Sequence, residues 1–400
     1  MKNYIYLFGL ILITSCNESN NKSNNHTFLD SSTAAENNSP IDSLNNEQEN
    51  DTLEVLEIPE KNDQLNDIAL LISGIKVDSN SKYFSQTTTK SWVKYSSKLN
   101  NTWGKIKTNR LKKMDEWEKK ELHESVTQNR VGIYPFSGPD FLTFYTFFND
   151  APSYYMFGLE PLGNVPDLKF MSQDSIGLYY RGMEDATEDL LNLTFFRTNW
   201  MKTELKKNGV IPIILYFLAR TDNAIYSVEK FDIDSSGNLV NDPTGKSSKV
   251  AHIKFIDSKT KKLKDIYYLS ADVSNYALNK HPEILNYLNN IPSGNSYLKA
   301  ASYLCHHSYM TKFRTFILNK SKLVLQEDSG IPYKFFPKEK WGIKLYGKYV
   351  NPYRIFTDKI YVQENLRNDF KNPNLTNPLP FRLGYHSGTR NDNLMLAVLK

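Results

Sequence analysis

Five charged side chains, Asp140, Glu160, Arg197, Arg220 and Asp328, stand at or near the ends of apolar segments and not in lysine-rich loops. Charged groups in such places are seldom buried unless paired. They therefore line a polar pocket at one sheet edge, or they close the core as ion pairs. In the first case Asp140 or Glu160 is the candidate acid/base. Ser137 follows an apolar run and precedes Gly138, a place where a serine nucleophile can sit, yet no base accompanies it in the sequence. No Gly-x-Ser-x-Gly elbow, Walker loop or metalloprotease His-Glu pair occurs, so no catalytic residue and no cofactor is assigned.

Two further clusters have metal-capable atoms. Cys305-His306-His307 is read as part of a strand over Tyr297–Leu304 and beyond, where neighbours point to opposite faces and cannot share one ion. Glu184, Asp185, Glu188 and Asp189 form an i, i+4 acidic pattern, which suits a solvated helix face or a helix start better than a cation site. No metal site is expected from either.

The elements that must carry the charged set centre on Val131–Pro161. An apolar run, Val131–Phe136, precedes the turn Ser137-Gly138-Pro139-Asp140, then the aromatic-rich helical segment Phe141–Phe148, then a second strand, Tyr154–Leu159, ending on Glu160. This order predicts a βαβ unit with parallel strands, and ligands in such sheets sit at the carboxyl ends, here the Ser137–Asp140 turn and Glu160. Pro139 and Asp140 suit the first turn of the helix. Upstream, Trp92, Tyr95, Leu99, Trp103, Ile106, Met114 and Trp117 recur at helical spacing, predicting one long helix or two in tandem over 90–122 with a tryptophan-rich core face. Downstream, helix is expected over Thr187–Leu205, and the uniformly apolar Ile213–Ala219 has no decisive period. Strands are expected over Ala224–Ile233, Val250–Ile256, Ile266–Ser270 and Lys322–Leu325, and helices over Pro282–Leu288 and Tyr309–Leu318. The tail from Trp341 carries short β-type runs. The expected fold is a mixed, largely parallel α/β sheet with helices on both faces, preceded by a long helical segment and followed by a β-rich tail.

The N-terminus has one early charge, Lys2, an apolar run from Tyr4 to Ile13, then small residues before Cys16. The run is shorter than the roughly 20 residues a membrane-crossing helix needs, and it reads as a secretory leader. Ile13-Thr14-Ser15-Cys16 resembles the lipobox of bacterial lipoproteins, which implies cleavage before Cys16, its acylation, and a lipid anchor on a bacterial outer membrane or cell surface. Asn17–Asp63 is rich in Asn, Ser, Asp and Glu and reads as a disordered tether. The whole chain carries +5, the leader +1 and residues 17–63 carry −9, which leaves +13 on residues 64–400. The domain reading is a leader over 1–15, tether over 16–63, helical segment over 64–125, α/β core over 126–335 and β-rich extension over 336–400. With Cys16 acylated only Cys305 remains, so no intramolecular disulfide forms. The basic balance fits anionic envelope polymers, while the absence of a Lys/Arg block of five gives no reason to expect nucleic acid.

The stretches YPFSGPDFL, FGLEPLG, FLART at Phe217–Thr221, SYLKAASYL, QEDSGIPY and NPLPF resemble an uncharacterised family of bacterial exported lipoproteins, a resemblance that implies no activity. A partial resemblance to the Rossmann-like core of class I methyltransferases rests on GPDFL at Gly138–Leu142, on Glu160 in the place of the ribose-binding acid, and on Tyr297–His307 and Lys322–Glu327 as fourth and fifth strands. Phe136 and Asp140 stand where that family has glycines, and Tyr134 replaces its usual acid, so the likeness bears on fold alone. The sequence thus favours a lipid-anchored, non-enzymatic envelope protein that binds a ligand at a sheet-edge cleft. The alternative is an envelope-acting hydrolase or transferase using the carboxylates of that cleft. The anchor is directly testable. Changing Cys16 to Ser is expected to leave an unlipidated product, and unaltered detergent partitioning and N-terminal mass would count against the anchor.

Overall fold

A computed structural model describes residues 59–126, 130–169, 171–195, 208–242, 244–389 and 391–400. Arg197, and the expected tether up to Ile58, lie outside the described residues.

The periodic tryptophan segment forms two helices, α2 (Lys90–Ile106) and α3 (Lys112–Glu121), joined through a π-helical turn at Lys107–Leu111; α1 (Asp63–Ile72) precedes them and the single turn α4 (His123–Val126) follows. α2 starts where the side chain of Thr89 caps the amide of Trp92. Its core face of Trp92, Tyr95, Leu99, Trp103 and Ile106 is buried, as the spacing requires. The predicted βαβ unit follows as β1 (Val131–Tyr134), α5 (Phe141–Phe147) and β2 (Ser153–Gly158). Asp140 is the N-cap of α5, one position earlier than a first-turn residue, and its side chain accepts from the Thr143 amide.

Helix α6 (Gln173–Leu193) begins well before the expected Thr187, because Ser172 supplies an N-cap. The acidic pattern at Glu184 therefore sits in the second half of this helix and not at its start. The apolar run is helix α7 (Ile211–Arg220), buried on every side, which is why it shows no amphipathic period. Next come β3 (Ala224–Ile233), β4 (Leu239–Asn241), β5 (Val250–Ile256), β6 (Leu263–Ser270), α8 (Asn275–Lys280), α9 (Pro282–Asn290) and β7 (Gly294–Leu298). Strand β7 ends at Leu298. The rest of the expected strand is a 3-10 helix, Ala300–His306, so Cys305 and His306 lie on a helical turn. Helix α10 (Thr311–Lys320), β8 (Ser321–Gln326), β9 (Trp341–Gly347), α11 (Glu364–Lys371), β10 (Thr376–Asn377) and β11 (Asn393–Leu399) complete the chain.

Among the described residues the eleven strands share one sheet, ordered β10-β9-β11-β8-β7-β1-β2-β6-β5-β3-β4. The central five, β8-β7-β1-β2-β6, are parallel. Antiparallel strands flank them, β11 beside β8 on one side and β5 beside β6 on the other. In chain order the parallel core reads 3-2-1-4-5, the doubly wound arrangement whose direction reverses between β1 and β7. Helices α1, α2, α3, α5, α6 and α7 cover one face, meeting Tyr134, Tyr154, Met156, Tyr268 and Leu325. Helices α8 to α11 cover the other, meeting Ile133, Phe157, Leu269, Leu298 and Val324. Alternate residues of each strand thus go to opposite cores.

Trp117 on α3 welds the N-terminal helices to the sheet. Its ring meets Phe147, Tyr346 and Phe381 edge-on at centroid distances of 5.7, 4.9 and 5.7 Å. Trp117→Ala is expected to cost about 3–5 kcal/mol, the range for a buried aromatic truncated to Ala. In urea denaturation the midpoint should fall at unchanged slope, and an unchanged midpoint would mean that the helical segment is not part of the cooperative body.

Candidate functional site at the carboxyl edge

The five parallel strands deliver their carboxyl ends to one edge, and the loops there carry an unusual concentration of buried polar groups. After β1 the backbone turns through Phe136 at φ 55°, and after β7 it turns through Ala300 at φ 56°. Both are non-glycine residues held in the left-handed region, at the two strands flanking the reversal point. Such strain persists only where surrounding contacts over-determine the backbone.

Between those two turns lies a buried ion pair. The Lys299 ammonium donates to Asp140 Oδ2, to Thr143 Oγ1 (3.2 Å) and to the carbonyl of Thr194 at the end of α6. Asp140 Oδ2 also accepts from Tyr134 Oη (3.0 Å) and Thr143 Oγ1 (2.7 Å). Asp140 and Lys299 are 1% and 2% exposed, so the pair is out of reach of solvent. Burial, the Asp140 charge and its hydrogen bond push the Tyr134 phenol well above its ordinary pKa, so Tyr134 stays a donor.

At the end of β8, Glu327 and Asp328 are both buried. Glu327 Oε1 accepts from the Ala300 amide and from Ser329 Oγ (2.8 Å). Gly384, at φ 61°, presses on the same carboxylate, where a Cβ would fall 1.6 Å from Oε2; glycine is needed there for approach as well as for conformation. Asp328 accepts from Tyr303 Oη and from Asn393 Nδ2 (2.8 Å). His386 Nε2 lies 3.2 Å from Asp328 Oδ1, an ion-pair distance without the alignment of a hydrogen bond. Burial and the neighbouring Asp328 push Glu327 up to about 7. Burial opposes the charged form of His386, but Asp328 outweighs it and raises the imidazole above its ordinary value. Tyr385 stacks on Tyr353 at 5.2 Å and Tyr303 packs on Phe356 at 4.1 Å, which gives the acids an aromatic wall.

Glu160, after β2, receives Tyr268 Oη at 3.0 Å and lies against the turn, with a Cβ on Gly138 meeting its carboxyl at 3.6 Å. Farther along the same edge, a cavity of about 310 Å³ is lined by Gly347, Lys348, Leu379, Pro380, Phe381, Arg382 and Asp392.

Among the residues singled out by sequence, the structure brings Gly138 together with Glu160, and it commits Asp140 to Lys299 and Asp328 to Tyr303 and His386. Ser137 donates its hydroxyl to the carbonyls of Gly138 (2.9 Å) and Phe157 (3.3 Å). Arg220 is elsewhere. It ends α7 just before β3, which runs parallel to β6, so it stands at the amino edge. There it lies over the rings of Trp103 and Tyr216 and donates to Asn100 Oδ1 at 2.7 Å. A residue that enters a strand of this direction cannot reach the carboxyl edge. Cys305 is buried with its thiol pushed up to about 12 by desolvation, while His306 Nδ1 faces the Ile360 carbonyl and His307 Nε2 faces Tyr361 Oη. Glu184 pairs with Lys98. Among the described residues no three His, Cys, Asp or Glu side chains converge as a metal set.

Lys299, Glu327, Tyr303 and His386 were not singled out beforehand. Glu327 lay one residue from the chosen Asp328 at the end of a clean strand, a usable signal; Lys299 and His386 have no distinctive local context. Comparison with family models, curated proteins and solved structures gave no match.

Two measurements follow. As a helix cap alone Asp140 would contribute about 1 kcal/mol, but removing one member of a buried ion pair costs about 3–5 kcal/mol. Asp140→Asn is expected in the larger range by urea denaturation, with Lys299→Met in the same chain restoring much of the loss; a cost near 1 kcal/mol would exclude a buried pair. The raised Glu327 gives the second. A carboxyl with a folded pKa above its unfolded value contributes stability that is complete below the ordinary value of 4.5 and is lost as pH rises through about 7. His386, also raised, acts in the same direction. His306 and His307, lowered by burial, act the other way, so the check is the difference: between pH 5 and pH 8 the melting temperature of wild type relative to Glu327→Gln is expected to fall.

Proposed function

We propose that this chain is a lipid-anchored envelope protein whose carboxyl sheet edge binds a ligand or envelope component. The observation that carries the reading is the buried Glu327–Asp328–His386 cluster with its Tyr303 hydroxyl, set beside the reversal point of a doubly wound sheet, where ligands of such folds are held. Buried titratable groups shifted by specific neighbours cluster at functional sites. Strain at Phe136 and Ala300 at the same place supports it. The strand order supports the resemblance to the class I methyltransferase core at the level of fold. It lends nothing to activity, because the turn after β1 is taken up by Phe136 and the Asp140–Lys299 pair.

Thermal unfolding in the presence of soluble envelope components, namely peptidoglycan fragments, glycerophosphate and oligosaccharides, tests the reading. A ligand at 100 times its Kd adds about 2.7 kcal/mol, enough to raise the melting temperature by several degrees. Glu327→Gln should abolish that rise. If no component shifts the wild type, or the variant shifts equally, the edge is structural.

The alternative, an envelope-acting hydrolase or transferase, draws on one specific observation. Glu327 near neutrality can donate or accept a proton at physiological pH. Turnover of the same components, lost in Glu327→Gln, would favour it over binding alone.

A further inference from the structure

We propose that the outer face of α2 is a docking surface for anionic lipid headgroups, which seats the body on the membrane that anchors it. The proposal rests on the reading of Cys16 as a lipid anchor. From Ser79 to Met114 the chain contains no Asp or Glu and carries a net +9, most of the +13 found on residues 64–400. Helical geometry gathers this charge. Lys90, Lys94, Lys98 and Lys105 fall within about 80° of one another at 100° per residue, on the side away from the buried Trp92–Leu99–Trp103 face. All four lysines are exposed. Glu184 of α6 takes Lys98, but among the described residues Lys90, Lys94 and Lys105 have no acidic partner. Three of the four lysines therefore keep their charge uncompensated among the described residues, and α6 neutralises Lys98 alone.

The attachment point agrees. The body begins beside α1, whose last turn is tied to α2 through Trp92 Nε1 on the Leu71 carbonyl (3.0 Å). Between Cys16 and the first described residue the sequence runs 43 residues, Cys16 to Ile58. Clusters of lysines on one helix face bind anionic lipid.

The test uses the unlipidated mature chain, residues 16–400, sedimented with vesicles at low and at physiological salt, so its outcome is independent of whether Cys16 is acylated in cells. Binding is expected to phosphatidylglycerol–phosphatidylcholine vesicles and not to phosphatidylcholine alone, weakening as salt rises. Replacing Lys90, Lys94 and Lys105 together with Gln should lower partitioning on the order of 100-fold, at about fivefold per lysine, with the melting temperature unchanged. Absence of binding, equal binding to neutral vesicles, or full binding by the triple variant would overturn the proposal. Binding that appears only once residues 17–58 are deleted would also overturn it, by assigning the face to the chain's own acidic segment.

Discussion

The Asp140–Lys299 ion pair is the constraint on which the carboxyl edge depends. It joins the loop after β1 to the loop after β7, the two strands between which the sheet reverses direction. Burying two charges costs several kcal/mol per ion, which only close geometry and further hydrogen bonds can offset. Tyr134, Thr143 and the Thr194 carbonyl supply those bonds. Thr194 then passes the connection on, because its hydroxyl accepts from the Gly384 amide at 2.6 Å, and Gly384 abuts Glu327. One polar chain therefore runs from the first parallel strand through the end of α6 to the C-terminal tail.

This arrangement separates two kinds of charge at the same edge. Asp140 and Lys299 neutralise each other and are saturated with partners, as befits a structural clasp. Glu327 and Asp328 are adjacent buried carboxylates beside the imidazole of His386, and burial with the neighbouring Asp328 pushes Glu327 up to about 7. That shift makes the β8 end, more than the turn after β1, the chemically responsive part of the edge. The clasp holds the backbone on which the responsive part is mounted.

Much of the framework was legible from local pattern. Val131–Gly158 reads as a βαβ unit because its apolar run, Gly-Pro turn and aromatic helix all act over a few residues. Ala224–Ile233 announces a strand by an alternation that is only approximate, with a register shift between Ile225 and Ser227. The segment left undecided and the one misread have physical causes. The helix at Ile211–Arg220 is buried all round and loses its period, and the chain beyond Leu298 turns into a 3-10 helix through the left-handed Ala300, which no propensity for alanine would suggest.

The candidate site was legible only in part. Asp140, Glu160 and Asp328 stood out because each ends an apolar segment, and strand direction in a parallel sheet puts such ends on one edge. Direction also explains the misplacement of Arg220, since a residue entering β3 belongs to the opposite edge, and β3's direction follows from two antiparallel pairings that no local pattern encodes. By itself, then, the sequence determined the elements, the charge asymmetry along the chain and the acids at strand ends, all consequences of short-range periodicity and composition. Tertiary structure alone decided the partners: Lys299 lies 159 residues from Asp140, and Asn393 lies 65 residues from Asp328. Contacts at that separation are set by strand order, and strand order is settled by packing two cores against one sheet.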